Sequence, residues 1–91
     1  LTRIIPKNMC ANIYLDKIKT KPIFSWIKSK GVSDFEMLKT FNCGVGFCLI
    51  IKKKNINKVK KYFKNEFKPY VIGKLIKNTK NKILLNEKIK W

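Results

Sequence analysis

Between Ser33 and Ile51 the chain passes from a helical pattern to an apolar run, with only a glycine-punctuated break between them. Ser33 and Glu36 have capping-box spacing, in which a hydroxyl accepts from the backbone N–H three residues on, so a helix is expected to start there. Met37, Leu38 and Phe41 lie at offsets that share one helical face. Asn42, Gly44 and Gly46 then interrupt the helix, and Phe47 to Ile51 reads as a central strand. Glycines at alternate positions weaken a strand and pack nothing. They mark a bulge or tight helix–strand junction, or a close approach of the backbone to a ligand. On the residues alone both readings stand.

The flanking segments supply the rest of a small fold. Met9 to Leu15 alternates loosely, with Ala11, Ile13 and Leu15 on one side, and suits a short strand. Thr20 is placed to cap a helix starting near Lys21 and Pro22, where the missing Pro N–H costs nothing. Ile23, Phe24, Trp26 and Ile27 give that helix its apolar face, and Gly31 stops it. Asn55 is placed to cap a third helix, along which Ile56, Val59, Phe63 and Phe67 form a stripe widened by Tyr62. Tyr70 to Ile76 reads as a strand containing Gly73, Asn78 to Asn81 as a turn, and Lys82 to Leu85 as the return strand of a hairpin. If the strands at 47–51 and 70–76 are parallel, the helix between them makes a right-handed crossover. The tail from Asn86 to Trp91 either packs back or frays. The sum is an α+β domain, helices against one mixed β-sheet. Three helical faces exceed what four short strands cover, so some apolar surface is expected to face residues outside the chain.

Charge and chemistry-bearing residues narrow the function. The net charge is +17 over 91 residues, beyond the roughly 2–8 units usual for a small domain. Such an imbalance repels itself in the compact state and favours a partner domain, an acidic neighbour or salt. Every basic residue but Arg3 is Lys, and Lys, Ile and Asn make 43 of the 91 residues. Their codons are rich in A and T, which favours a solvated lysine background over a dedicated polyanion surface. A basic nucleic-acid-binding module is the alternative from a different class. Cys10, Cys43 and Cys48 lack metal-ligand spacing and no His is present, so neither a zinc site nor a Cys–His pair is expected, and a reducing compartment is. Asp16, Asp34, Glu36, Glu66 and Glu87 form no spaced pair for acid–base work or for Mg²⁺. No catalytic or metal-ligating residue is therefore assigned. The longest apolar run, counting Gly, is nine residues from Cys43 to Ile51, against about 18–20 for a membrane span. With no Met and no signal-peptide pattern at Leu1, the start reads as that of an excised or truncated chain.

Two places remain for ligand chemistry. The segment Thr40-Phe41-Asn42-Cys43-Gly44-Val45-Gly46 could present backbone N–H groups and the Asn42 amide to an anion or carbonyl. It matches neither a P-loop nor a dinucleotide fingerprint. Arg3, the sole guanidinium, can clamp a phosphate or carboxylate through two parallel hydrogen bonds, or serve as an ordinary surface charge.

The run from Glu36 to Phe47, Glu-Met-Leu-Lys-Thr-Phe-Asn-Cys-Gly-Val-Gly-Phe, resembles the E-M-x-R-T-F-N-C/M-G-V/I-G-M motif of phosphoribosylformylglycinamidine cyclo-ligase, or aminoimidazole ribonucleotide synthetase. Arg3-Ile4-Ile5-Pro6 is similar to that family's P-R-V-L-P segment, and Ile23-Phe24-Ser25-Trp26-Ile27 to its V-F-x-W-L helix. Asn55 to Val59 resembles its post-strand helix start, and Tyr70-Val71-Ile72-Gly73 its A-Y-x-I-G strand. Lys39 stands where the motif has Arg, keeping charge without the planar fork. Phe47 stands where it has Met, and Leu1 and Thr2 do not keep the usual Ile-Pro before the arginine segment.

The resemblance implies an enzyme of purine biosynthesis that closes the imidazole ring of formylglycinamidine ribonucleotide using ATP and Mg²⁺. It implies that residues 1–91 are the last part of a C-terminal domain. It further implies a cytoplasmic homodimer in which a missing N-terminal portion carries most nucleotide and metal contacts. Carried over by position, Thr40, Phe41, Asn42, Gly44 and Gly46 lie close to the interdomain substrate cleft, and Arg3, a cleft or interdomain residue on the same resemblance, is the arginine of the segment that follows the family's G-G-G-L-x-E-N stretch. On this reading the isolated chain is inactive and binds neither ATP nor Mg²⁺ alone. Alternatives are another ATP-using enzyme of the superfamily, such as the amidotransferase that makes the preceding intermediate, and a split or decayed product that folds only against its partner.

Overall fold

The computed structural model describes residues 2–78 and 80–91. A strand of six residues, β1 (Met9–Tyr14), forms the middle of a three-stranded sheet. On one edge it pairs antiparallel with β2 (Gly73–Lys77), with Ile13 opposite Gly73 and Met9 opposite Lys77. On the other it pairs parallel with β3 (Ile83–Asn86), with Ala11 opposite Ile83 and Tyr14 opposite Asn86. The hairpin expected between the last two strands does not form, because β1 lies between them. Cys10 and Ala11, consecutive and so on opposite faces, are both buried. A strand covered on both faces has no water for its backbone groups, and neighbours on both edges satisfy them.

Two helices pack on one face of this sheet. Helix α1 (Pro22–Ser29) opens with Pro at its first position, and Lys21 is its N-cap. The cap expected from Thr20 is not made. Its Oγ1 is instead buried without a hydrogen-bond partner. The helix ends as expected at Gly31, whose φ is 96° and whose N–H donates to the Lys28 carbonyl at 3.1 Å. Phe24 and Ile27 pack on the core while Ile23 and Trp26 remain exposed, so only half of the expected apolar face is used. Helix α2 (Asp34–Thr40) starts at Ser33, whose Oγ accepts from the Glu36 N–H at 3.2 Å. Met37 is fully buried, with Leu38 and Phe41 packed beside it. The core joins these to Ile5, Ala11, Ile13, Leu15, Cys43 and Ile89.

The middle of the chain departs from its local pattern. Phe47 to Ile51, expected as a central strand, carries no regular secondary structure, and Phe47 is 85% exposed. The crossover expected to start from it is therefore absent. The third helix, expected as far as Phe67, is only α3 (Ile56–Lys60), preceded by a 3-10 turn over Lys53–Asn55. Asn55 makes no side-chain cap, and Tyr62 and Phe67 are 77% and 73% exposed. The cause is shared. A strand needs a neighbour and an amphipathic helix needs an apolar surface to face, and the described residues offer neither. Lys52, Lys53, Lys54, Lys58, Lys60, Lys61 and Lys64 add mutual repulsion along the same stretch.

After β3 the chain returns to the helices. Ile89 is buried, the Trp91 indole N–H donates to Asp34 Oδ1 at 3.0 Å, and Ser25 Oγ donates to the Trp91 carbonyl. Lys28 Nζ reaches the same carboxylate at 3.3 Å. The Trp91 hydrogen bond is the largest influence and holds the Asp34 carboxyl below its ordinary range; desolvation opposes it, and Lys28 adds to the lowering. A carboxyl with a lower pKa in the folded state stabilises the fold above its unfolded value, about 3.9 for Asp. That contribution disappears as pH falls through the lower folded value. The Trp91 indole N–H resonance is therefore expected to shift only below about pH 4, and Asp34→Asn should abolish that titration. A pH-independent Trp91 signal in the native protein would refute the contact.

The turn expected over 78–81 is present in part: Asn78 Oδ1 accepts from the N–H groups of Lys80 and Asn81 at 2.8 and 3.0 Å. Thr79, and Leu1 ahead of the arginine segment, lie outside the described residues. Among the described residues no helix is long and apolar enough to cross a membrane.

Candidate functional site

The break after α2 is a tight four-residue turn, Asn42 to Val45. The Val45 N–H donates to the Asn42 carbonyl at 3.0 Å, and the two residues between, Cys43 and Gly44, have φ of 53° and 100°. Positive φ at both central positions is what a type I′ turn requires. The Asn42 side chain reinforces it, its Oδ1 accepting from the Gly44 N–H at 2.9 Å. Cys43 pays the left-handed strain for burial, since its thiol lies in the core and near the Met37 and Phe41 carbonyls. Burial pushes that thiol's pKa up, which keeps it protonated and unreactive at neutral pH.

The two glycines answer to different needs. A Cβ at Gly44 would stand 3.0 Å from the Lys19 carbonyl oxygen and 3.4 Å from Thr20 Cα. Gly44 therefore lets the turn press on the chain's own backbone just before α1. That backbone is held in turn by Tyr70, whose hydroxyl accepts from the Lys19 N–H at 3.0 Å while Lys19 Nζ sits 4.8 Å over its ring. At Gly46 nothing stands within 4 Å of where a Cβ would be. The first glycine serves the fold. The second leaves open space beside the backbone.

The other site candidates divide similarly. Phe41 is half-buried, its ring 5.9 Å from that of Phe24, and so ties the turn to α1. Thr40 and Asn42 are exposed. With Oδ1 engaged by Gly44, the Asn42 Nδ2 donor has no partner among the described residues. Arg3 is exposed in a 3-10 turn (Thr2–Ile4). Among the described residues no hydrogen bond or ion pair joins it to the 40–46 segment, so the two candidates are not brought together by contact. The cavity of 160 Å³ beneath the tail is lined by residues including Leu15, Asp34, Leu38 and Trp91 and by none from the turn. The tail anchor of Ser25, Lys28, Asp34 and Trp91 was not foreseeable from spacing. Its sequence signal is Ile89 and Trp91 in a mostly polar terminus.

What the turn can do chemically is donate hydrogen bonds. The exposed Asn42 Nδ2 suits a carbonyl or anionic oxygen. No general base stands at the turn. Among the described residues no three of Cys, Asp or Glu gather into a metal cage, so the residues here do not fit Mg²⁺ and no step below passes through it.

Such an arrangement defines a small α+β domain, helices on a three-stranded mixed sheet, with an exposed amide at its glycine turn. The chain belongs to the family described as AIR synthase related protein, C-terminal domain, whose family model matches residues 1–86. No solved structure matches it. Membership accords with a role in AIR-synthase-type chemistry.

Proposed function

We propose that this chain forms the cleft-facing part of an ATP-dependent cyclo-ligase that converts formylglycinamidine ribonucleotide to aminoimidazole ribonucleotide in purine biosynthesis. The observation that carries the proposal is the family match over residues 1–86. The exposed Asn42 amide and the open backbone at Gly46 support it. In this reading a companion N-terminal portion would hold ATP and Mg²⁺ and would supply the phosphoryl group that makes the formyl amide oxygen a leaving group, released as phosphate when the amidine nitrogen closes the ring. The residues of this chain bind and orient. Asn42 Nδ2 donates to an oxygen of the substrate, Gly46 leaves room for it to approach, and Phe41 fixes the turn against α1. Arg3 clamps an anionic group at the cleft entrance. The assembled enzyme is a cytoplasmic homodimer.

Asn42→Asp tests the turn's part cleanly. It keeps the oxygen that accepts from Gly44 but replaces the outward donor with a charged acceptor. In enzyme assembled from both portions, kcat/KM should fall about 100-fold, the scale of losing a positioned donor. The urea midpoint of the 91-residue chain should stay unchanged. Full activity in the variant would remove Asn42 from the cleft.

A further inference from the structure

We propose that the recess beneath the tail is a binding site for one small aromatic ring that carries a neutral hydrogen-bond donor, such as a phenol. The recess has a volume of 160 Å³, and Leu15, Leu38, Ile89 and Trp91 form its apolar walls. Native interiors leave few voids larger than a water molecule. A hydrocarbon-lined void of about 150 Å³ stays dry and takes a benzene-sized guest. Asp34, Glu87 and Lys88 complete the lining. The Trp91 indole and Lys28 both engage Asp34 at Oδ1, and Oδ2 has no hydrogen-bond partner among the described residues. The recess therefore joins an apolar wall the size of one ring to a charged acceptor with a lone pair to spare.

The tail supplies both the wall and the way in. Glu87, directly after β3, has a φ of 61°, and Ile89 is the one tail side chain buried in the core. Trp91 is held by its indole at Asp34 and by its carbonyl at Ser25. A short segment fixed by one side chain and two hydrogen bonds opens locally while the sheet stays intact. The lining then selects the ligand. A donor on the ring meets the Asp34 carboxylate, and hydrogen bonds to an ionised acceptor are the strong ones. An anionic ring is drawn to a chain of net charge +17, but in the recess it meets two carboxylates, Asp34 and Glu87. The glycine turn contributes no residue to the recess, so occupancy here does not depend on the synthetase reading.

Titration of the 91-residue chain with phenol, read at the two tryptophan indole N–H resonances, tests the site. Trp91 should shift saturably with a Kd of roughly 1 mM, in the range open to a ligand of this size. Trp26, which is exposed on α1, should show no saturation and serves as the internal control. Anisole, the same ring with its donor methylated, should bind at least about fivefold more weakly, and benzoate no better than anisole. Leu38→Phe, which fills the recess, should abolish the saturable shift while the Trp91 indole stays at Asp34. If that variant loses its fold, the three ligands on the native chain decide alone. No saturable shift at Trp91 by about 20 mM phenol, roughly twenty times the expected Kd, would overturn the proposal. So would equal shifts at Trp26 and Trp91, equal affinity for anisole or benzoate, or undiminished binding by folded Leu38→Phe.

Discussion

Gly73→Ala is expected to lower the urea midpoint of this chain by about 2 M, equivalent to roughly 3 kcal/mol at the slope of a small domain. Gly73 lies opposite Ile13 at the start of β2. A Cβ there would fall 2.2 Å from the Asn12 carbonyl oxygen and 3.0 Å from Ile13 Cα. Both are backbone atoms of the central strand, so no side-chain rotation relieves the overlap. Either β2 withdraws, opening its ladder to β1, or β1 shifts and disturbs Ala11 and Ile13 in the core. A midpoint within about 0.3 M of the native value, a few tenths of a kcal/mol, would show that the strands do not approach so closely.

Met37→Ala should cost about 3 kcal/mol by a different route. Met37 is 0% exposed and is the largest fully buried side chain of the core. It sits where α2 meets the sheet, with the Cys43 thiol against its carbonyl. Truncation leaves a cavity that the helix cannot close without releasing the Ser33 cap at one end or the Asn42 turn at the other. The Tm should fall by roughly 12–20 °C. Met37→Leu, which conserves volume, should remain within about 1.5 kcal/mol of the native protein. If alanine and leucine behaved alike, Met37 would not be a packing centre. The loss would also reach the candidate site, because α2 carries the turn.

The contrast between these residues and the exposed middle segment explains what was legible in the sequence. Ser33 and Glu36, Pro22, Gly31 and the alternation through Ala11 and Ile13 are short-range signals. The caps and stops work through partners a few residues away, and the alternation is met by a real ladder, β1 lying between β2 and β3. Phe47 to Ile51 and the stripe from Ile56 to Phe67 carry equally strong patterns, but a strand needs a ladder and a stripe needs a surface. Pattern states what a segment could bury and not whether this chain supplies the burial. The strand order failed for a related reason. Lys82 to Leu85 is a strand as read, but its nearest neighbour in sequence is not its neighbour in the sheet.

The candidate site was legible only in outline. The glycine break and the family motif point to the same residues, and a tight turn is what stands there. Neither revealed that Gly44 serves the chain's own backbone at Lys19 while Gly46 stands free. That distinction depends on Tyr70, 51 residues from Lys19, holding the connection ahead of α1. No local spacing encodes it.

The most direct measurement is formation of aminoimidazole ribonucleotide from formylglycinamidine ribonucleotide and ATP. It is made with the 91-residue chain alone, the companion N-terminal portion alone, and the two mixed. Product should appear only in the mixture, and Asn42→Asp in this chain should suppress it. Turnover by this chain alone, or by the companion at the same rate whether or not this chain is added, would contradict the account.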